Sequence, residues 1–131
     1  MKKLLSLGIL GLVAFSVRAA EFPDISIADV KAAIKSQKAV IIDVNGTESY
    51  DKGHVPTAVN FETIQGKLAQ TLPKDKNALI VAYCGNPRCS AYQAAAKAAS
   101  KLGYKNVKHM SAGIMGWKSA GEKTEKGGKT T

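Results

Sequence analysis

Two short apolar runs most constrain what this chain can fold into. Ala39-Val40-Ile41-Ile42 is closed by Asp43, and Ala78-Leu79-Ile80-Val81-Ala82-Tyr83 is followed at once by Cys84. Neither run alternates with polar residues. A strand with that pattern is buried on both faces, as in a parallel sheet covered by helices on each side. Helical patterns fall between and around the runs. Ser26 with Asp29 three positions on is an acidic variant of a capping box, and Ile27, Val30, Ala33 and Ile34 then recur at helical spacing, with the pattern ending at Lys38. Thr47 to Lys52 predicts a short helical turn stopped by Gly53, and Ala58 to Phe61 a short extended piece. Glu62 to Leu72 reads as a helix ending at Pro73, and Ser90 to Leu102 as an Ala-rich helix stopped by Gly103. Asn106 to His109 predicts a further strand and Gly113 to Ser119 a last short helix. Strands alternating with helices give an α/β fold: three layers, a central parallel sheet flanked by helices on both faces.

The first residues read differently. Lys2 and Lys3 precede an uncharged apolar run, Leu4 to Val17, and Val17-Arg18-Ala19 places small residues at cleavage offsets. This is the pattern of a secretory signal peptide over residues 1–19, with the cut after Ala19 or Ala20. The run falls short of the roughly 20 residues a membrane span needs. An uncleaved N-terminal anchor is the alternative. Export is therefore expected, to a periplasm or beyond the cell, with no membrane span left after cleavage.

One domain over residues 22–120 follows, with a core burying about two thirds of the unfolded chain's surface. The segment from Gly121 to Thr131 holds Gly, Lys, Thr and two Glu but no apolar residue, and is expected to be a disordered basic tail. The formal net charge is +9; without Lys2, Lys3 and Arg18, 16 basic residues face 10 acidic ones, a net of +6. That balance suits anionic substrates or an anionic membrane face. The few aromatics and the lack of a basic stripe argue against nucleic acid.

The chemistry concentrates in Cys84-Gly85-Asn86-Pro87-Arg88-Cys89, which joins a buried strand to a helix and holds both cysteines of the chain. Ligands of open α/β sheets sit beyond the carboxyl ends of strands. Unpaired N–H groups at a helix N-terminus favour an anion there, and a thiolate is one. Arg88 adds a nearby positive charge. In an oxidising compartment the cysteine pair suggests a disulfide, although closing so small a loop constrains the unfolded chain weakly.

Three stretches then resemble the rhodanese domain of single-domain sulfurtransferases, from about Ile25 to Ala120. The first is Ala39-Val40-Ile41-Ile42-Asp43-Val44 with Glu48-Ser49-Tyr50 and Gly53-His54-Val55-Pro56. The second is Val81-Ala82-Tyr83-Cys84 with Ser90-Ala91 and Gly103-Tyr104; the third is Val107-Lys108-His109-Met110 with Gly113-Ile114-Met115-Gly116-Trp117. The resemblance implies a rhodanese-like fold and a sulfurtransferase in which Cys84 takes sulfane sulfur as a persulfide and passes it to a thiol or other thiophilic acceptor. It also implies that Gly85, Asn86, Arg88, Cys89 and Ser90 form the substrate loop, while Asp43 and His54 support it structurally. A phosphatase of the related kind needs one more loop residue and an Arg where Ser90 stands.

Three departures from the family's pattern bear on the donor. Cys89 stands where many active members carry Arg, Pro87 removes one N–H from the loop, and Asp43-Val44-Asn45 replaces Asp-Val-Arg. They weigh against thiosulfate more than against persulfide chemistry. Cys89 reads either as a resolving thiol, leaving a Cys84–Cys89 disulfide, or as a small buried residue at the helix start. The alternative function is a non-catalytic or thiol–disulfide redox module using that pair. No cofactor is expected, and two thiolates are too few for a closed zinc site, so no metal is either. The expected partners are a small sulfur-containing anion or thiol acceptor and, further, a redox protein. His109 reads as structural, and Met110, Ser111 and Ala112 as the pocket rim.

Overall fold

The computed structural model describes residues 22–127. The signal peptide read in residues 1–19 lies outside them. Four strands form one sheet in the order β2-β1-β3-β4: β1 is Ala39–Asp43, β2 Val59–Asn60, β3 Leu79–Tyr83 and β4 Asn106–His109. All three pairings are parallel, with Ile41 opposite Val81, Ile42 opposite Ala82 and Asp43 opposite Tyr83 in the central pair.

Side chains that alternate along these strands feed two cores. Ile42, Ile80 and Ala82 face one side, where Ile64, Leu68, Ala95, Ala96 and Ala99 cover them. Ile41, Val81 and Tyr83 face the other, against Val30, Met110, Ile114 and Trp117. Both runs are therefore buried on both sides, which is why they read as continuous apolar stretches rather than alternating ones.

The helices are α1 (Ile27–Lys35), α2 (Thr47–Lys52), α3 (Phe61–Ile64), α4 (Leu68–Thr71), α5 (Tyr92–Lys101) and α6 (Gly113–Ser119). Ser26 caps α1 as its sequence predicts, its hydroxyl accepting from the Asp29 N–H at 3.1 Å. Phe61 opens α3 rather than ending the extended piece, and three further boundaries differ from the sequence expectation. The first helix stops at Lys35, because Gln37 takes a left-handed φ of 56°. The stretch Glu62–Leu72 is not one helix. A 3-10 turn at Gln65–Lys67 separates α3 from α4, centred on Gly66, a poor helix former. Ser90 and Ala91 stay in a turn before α5, their carbonyls accepting i+3 bonds from Gln93 and Ala94.

The tail is a larger correction. Residues 121–127 do not hang free. The Trp117 indole donates to the Lys123 carbonyl at 2.8 Å. Backbone N–H groups of His54 and Glu125 donate to each other's carbonyls at 2.8 and 2.9 Å, and Lys31 pairs with Glu122 at 2.7 Å. The Thr57 N–H reaches the Glu125 carboxylate at 3.2 Å. The segment lacks apolar side chains, but ordering it through hydrogen bonds does not require them; each contributes about 1 kcal/mol net. Residues 128–131 lie outside the described part.

Candidate active site

β1 leads outward to β2 and β3 leads to β4 on the opposite side, so the direction in which strands are added to the sheet reverses between β1 and β3. A crevice forms beyond the carboxyl ends of strands at such a switch point. Two loops leave it side by side: Val44-Asn45-Gly46 after β1 and the cysteine loop after β3. The Val44 N–H still donates to the Tyr83 carbonyl at 3.0 Å, and the loops part beyond that bond.

Beneath the two loops lies a buried polar chain. Asp43 is 1% exposed. One of its carboxylate oxygens accepts from the Asn45 N–H at 2.7 Å and the other from the Tyr83 hydroxyl at 2.5 Å. The Tyr83 oxygen in turn accepts from the Val55 N–H at 3.0 Å. Burial, followed by the Asp43 charge, pushes the Tyr83 hydroxyl far above the ordinary phenol range, so it stays protonated. With both oxygens engaged, Asp43 fixes the loop after β1. His54 is buried one residue before Val55. Its Nδ1 lies 2.8 Å from the Tyr50 carbonyl and its ring stacks on Tyr50 at 3.7 Å.

The cysteine loop rests on α6. The N–H groups of Ile114 and Met115 donate to the carbonyls of Cys84 and Gly85 at 2.9 and 3.0 Å. This close approach requires Gly113, whose φ is 65°. A Cβ there would lie 2.5 Å from the Gly85 oxygen and 2.7 Å from that of Cys84. Cys84 is only 1% exposed. Beyond it the loop folds into a turn. The Cys89 N–H donates to the Asn86 carbonyl at 3.1 Å, the Arg88 N–H donates to Asn86 Oδ1 at 2.9 Å, and Pro87 occupies the second turn position. Asn first and Pro second are residues that favour such a turn. The turn returns Cys89 to Cys84, with the two Cα atoms 6.3 Å apart and the sulfurs joined as a disulfide.

The predicted loop residues thus converge, but with divided roles. Cys84 and Cys89 meet. The Asn86 side chain is spent on the turn, and Arg88 and Ser90 lie exposed. Asn45 flanks the loop: a Cβ on Gly85 would lie 3.7 Å from its Oδ1, and its buried Nδ2 has no partner among the described residues. Met110 is fully buried, so it does not form a rim. His109 stacks on Tyr92 at 3.4 Å, and burial holds its pKa below the usual imidazole value. Among the described residues no group of three or more His, Cys, Asp or Glu side chains is placed to hold a metal. Sequence reasoning missed Tyr83 and Gly113. A strand-end Tyr opposite Asp43 signals the first; nothing local signals the second.

A family model for the rhodanese-like domain matches residues 26–120. The chain belongs to the rhodanese-like domain family. It is 31% identical to the tRNA uridine(34) hydroxylase of Buchnera aphidicola, over 67% of this chain and 28% of that protein. The chain thus spans under a third of the length of the curated relatives it matches. A Bacillus halodurans crystal structure superposes with a TM-score of 0.64 at 26% identity, covering 79% of this chain and 77% of that one. A human single-domain sulfurtransferase does so with a TM-score of 0.59 at 19% identity, covering 74% and 96%; at that identity the likeness shows the fold.

Proposed function

We propose that this rhodanese-like chain is an exported sulfurtransferase that accepts sulfane sulfur on Cys84 and passes it to a thiol or other thiophilic acceptor. One observation carries the reading. The buried Cys84 directly follows the carboxyl end of β3 at the switch point of the sheet, in a loop fixed to α6 through its own carbonyls. The protein enters the cycle with the Cys84–Cys89 disulfide reduced. The Cys84 thiolate attacks the outer sulfur of a donor and forms a sulfur–sulfur bond. The donor's own sulfur–sulfur bond breaks, releasing sulfite from thiosulfate or a shortened chain from polysulfide. Arg88 is the cationic side chain of the loop, and its exposure places it to meet an approaching anion rather than to hold one inside.

With the Arg positions of the family pattern taken by Asn45 and Cys89, polysulfide or an organic persulfide is the favoured donor. The hydroxylase relatives share only 28% of their length with this chain, and hydroxylation is not carried over. The disulfide itself favours one second reading, a thiol–disulfide redox module. Steady-state assays of the reduced Cys89→Ser protein, in which no second cysteine can discharge Cys84, with polysulfide or thiosulfate as donor and cyanide as acceptor separate the two. Thiocyanate formation that a further Cys84→Ser change lowers to the uncatalysed rate supports the transferase. Thiocyanate formed no faster than in the uncatalysed reaction with either donor contradicts it.

A further inference from the structure

The loop is built to close on itself rather than to keep a charged sulfur in place. Of its N–H groups, that of Arg88 is held by Asn86 Oδ1 and that of Cys89 by the Asn86 carbonyl, while Pro87 has none. These three positions therefore offer no free backbone donor to a persulfide anion on Cys84. The same turn carries Cys89 back within bonding reach of Cys84. Cys84 is closed off from solvent, whereas Cys89 is partly exposed. A thiol held this close competes at an effective concentration far above that of any external thiol.

We propose that the Cys84–Cys89 pair turns sulfane sulfur into free sulfide, making the chain a dithiol-driven sulfane-sulfur reductase. The step rests on the reading that Cys84 accepts sulfur. The Cys89 thiolate attacks the inner sulfur of the protonated Cys84 persulfide. The Cys84–Cys89 bond forms, the bond to the outer sulfur breaks, and hydrosulfide leaves with the electron pair and the proton. The sulfane sulfur is reduced and the two cysteine sulfurs are oxidised to the disulfide. An external dithiol then attacks Cys89, the exposed member of the pair, and restores both thiols while it becomes a disulfide. Asn86 and Pro87 act as positioning residues for Cys89.

The test is a single turnover. The full chain is reduced, desalted and mixed with one equivalent of thiosulfate or, separately, polysulfide. Sulfite and trapped sulfide are measured in the thiosulfate arm, and the protein is alkylated and weighed in both. The wild type is expected to release close to one sulfide per chain and to end as the unalkylated disulfide. Cys89→Ser, with Cys89→Ala as a second variant should Ser disturb the fold, is expected to keep a gain of about 32 Da, with sulfide release at least tenfold lower. A wild-type persulfide that persists as long as in Cys89→Ser, with Cys89 alkylated, overturns the inference and leaves the sulfur-accepting role of Cys84 standing. Cys89→Ser protein that gains no sulfur from either donor and yields no sulfite from thiosulfate overturns both.

Discussion

The loops leaving β1 and β3 start side by side and are held in opposite ways. The exit of β1 is fixed by long-range bonds. Asp43 binds Asn45 and Tyr83, and Tyr83 reaches Val55, 28 residues away in sequence. Among the described residues, the exit of β3 is anchored to α6 through the carbonyls of Cys84 and Gly85, and from Asn86 to Cys89 its bonds are local. The disulfide closing it is a bond that a reductant removes. Both Asp43 oxygens are satisfied, and buried carboxylates satisfied in this way make a site rigid, whereas locally held loops open at lower cost. The comparison teaches that the two loops share support where they begin, at Asp43, Val44 and Tyr83, and separate beyond it, where the turn that brings Cys89 to Cys84 is held by local bonds of its own.

The variant that breaks this separation is Gly113→Ala. It forces a Cβ onto the Cys84 and Gly85 carbonyls at a positive φ. We expect a loss of roughly 2–4 kcal/mol in denaturant unfolding together with impaired sulfur uptake. Tyr83→Phe tests the support alone. It strips Asp43 of a buried donor, and about 1–3 kcal/mol should be lost. Its pH signature is distinct. The folded pKa of Tyr83 lies above its unfolded value of 10.0, so the stability that neutral Tyr83 contributes is complete below pH 10 and lost as the pH rises further. The alkaline decline in thermal stability should therefore be shallower in the Phe variant. Reducing the disulfide tests the other side. The two cysteines are five positions apart, so reduction should cost about 2 kcal/mol at most, and the protein should stay folded by circular dichroism. The smallest effect is expected for Arg88→Ala. Stability should change by less than about 0.5 kcal/mol, while the KM for thiosulfate rises a few-fold and that for a neutral persulfide donor does not.

The sheet was readable because continuous apolar runs have few other uses, and the cysteine loop because strand, turn and helix follow within ten residues. Two parts were not. The interruption at Gly66 rests on a single weak helix former, which a helix interior tolerates at modest cost, so the pattern alone does not place it. The order of residues 121–127 arises from bonds to His54, Thr57 and Trp117, and composition carries no trace of such partners. Within the site, Asn86 and Arg88 were expected to face substrate. The Asn-Pro pair is also a turn signal, and the turn takes the Asn86 side chain.

The most direct test of the central claim is to map where sulfur resides. Reduced Cys89→Ser protein is loaded from polysulfide, desalted, trapped with an alkylating agent, digested and sequenced by mass spectrometry. The account predicts one extra sulfur, about 32 Da, on the peptide holding Cys84, discharged as thiocyanate when cyanide is added before trapping. A Cys84 peptide alkylated directly, with no extra sulfur at any donor concentration, would contradict it.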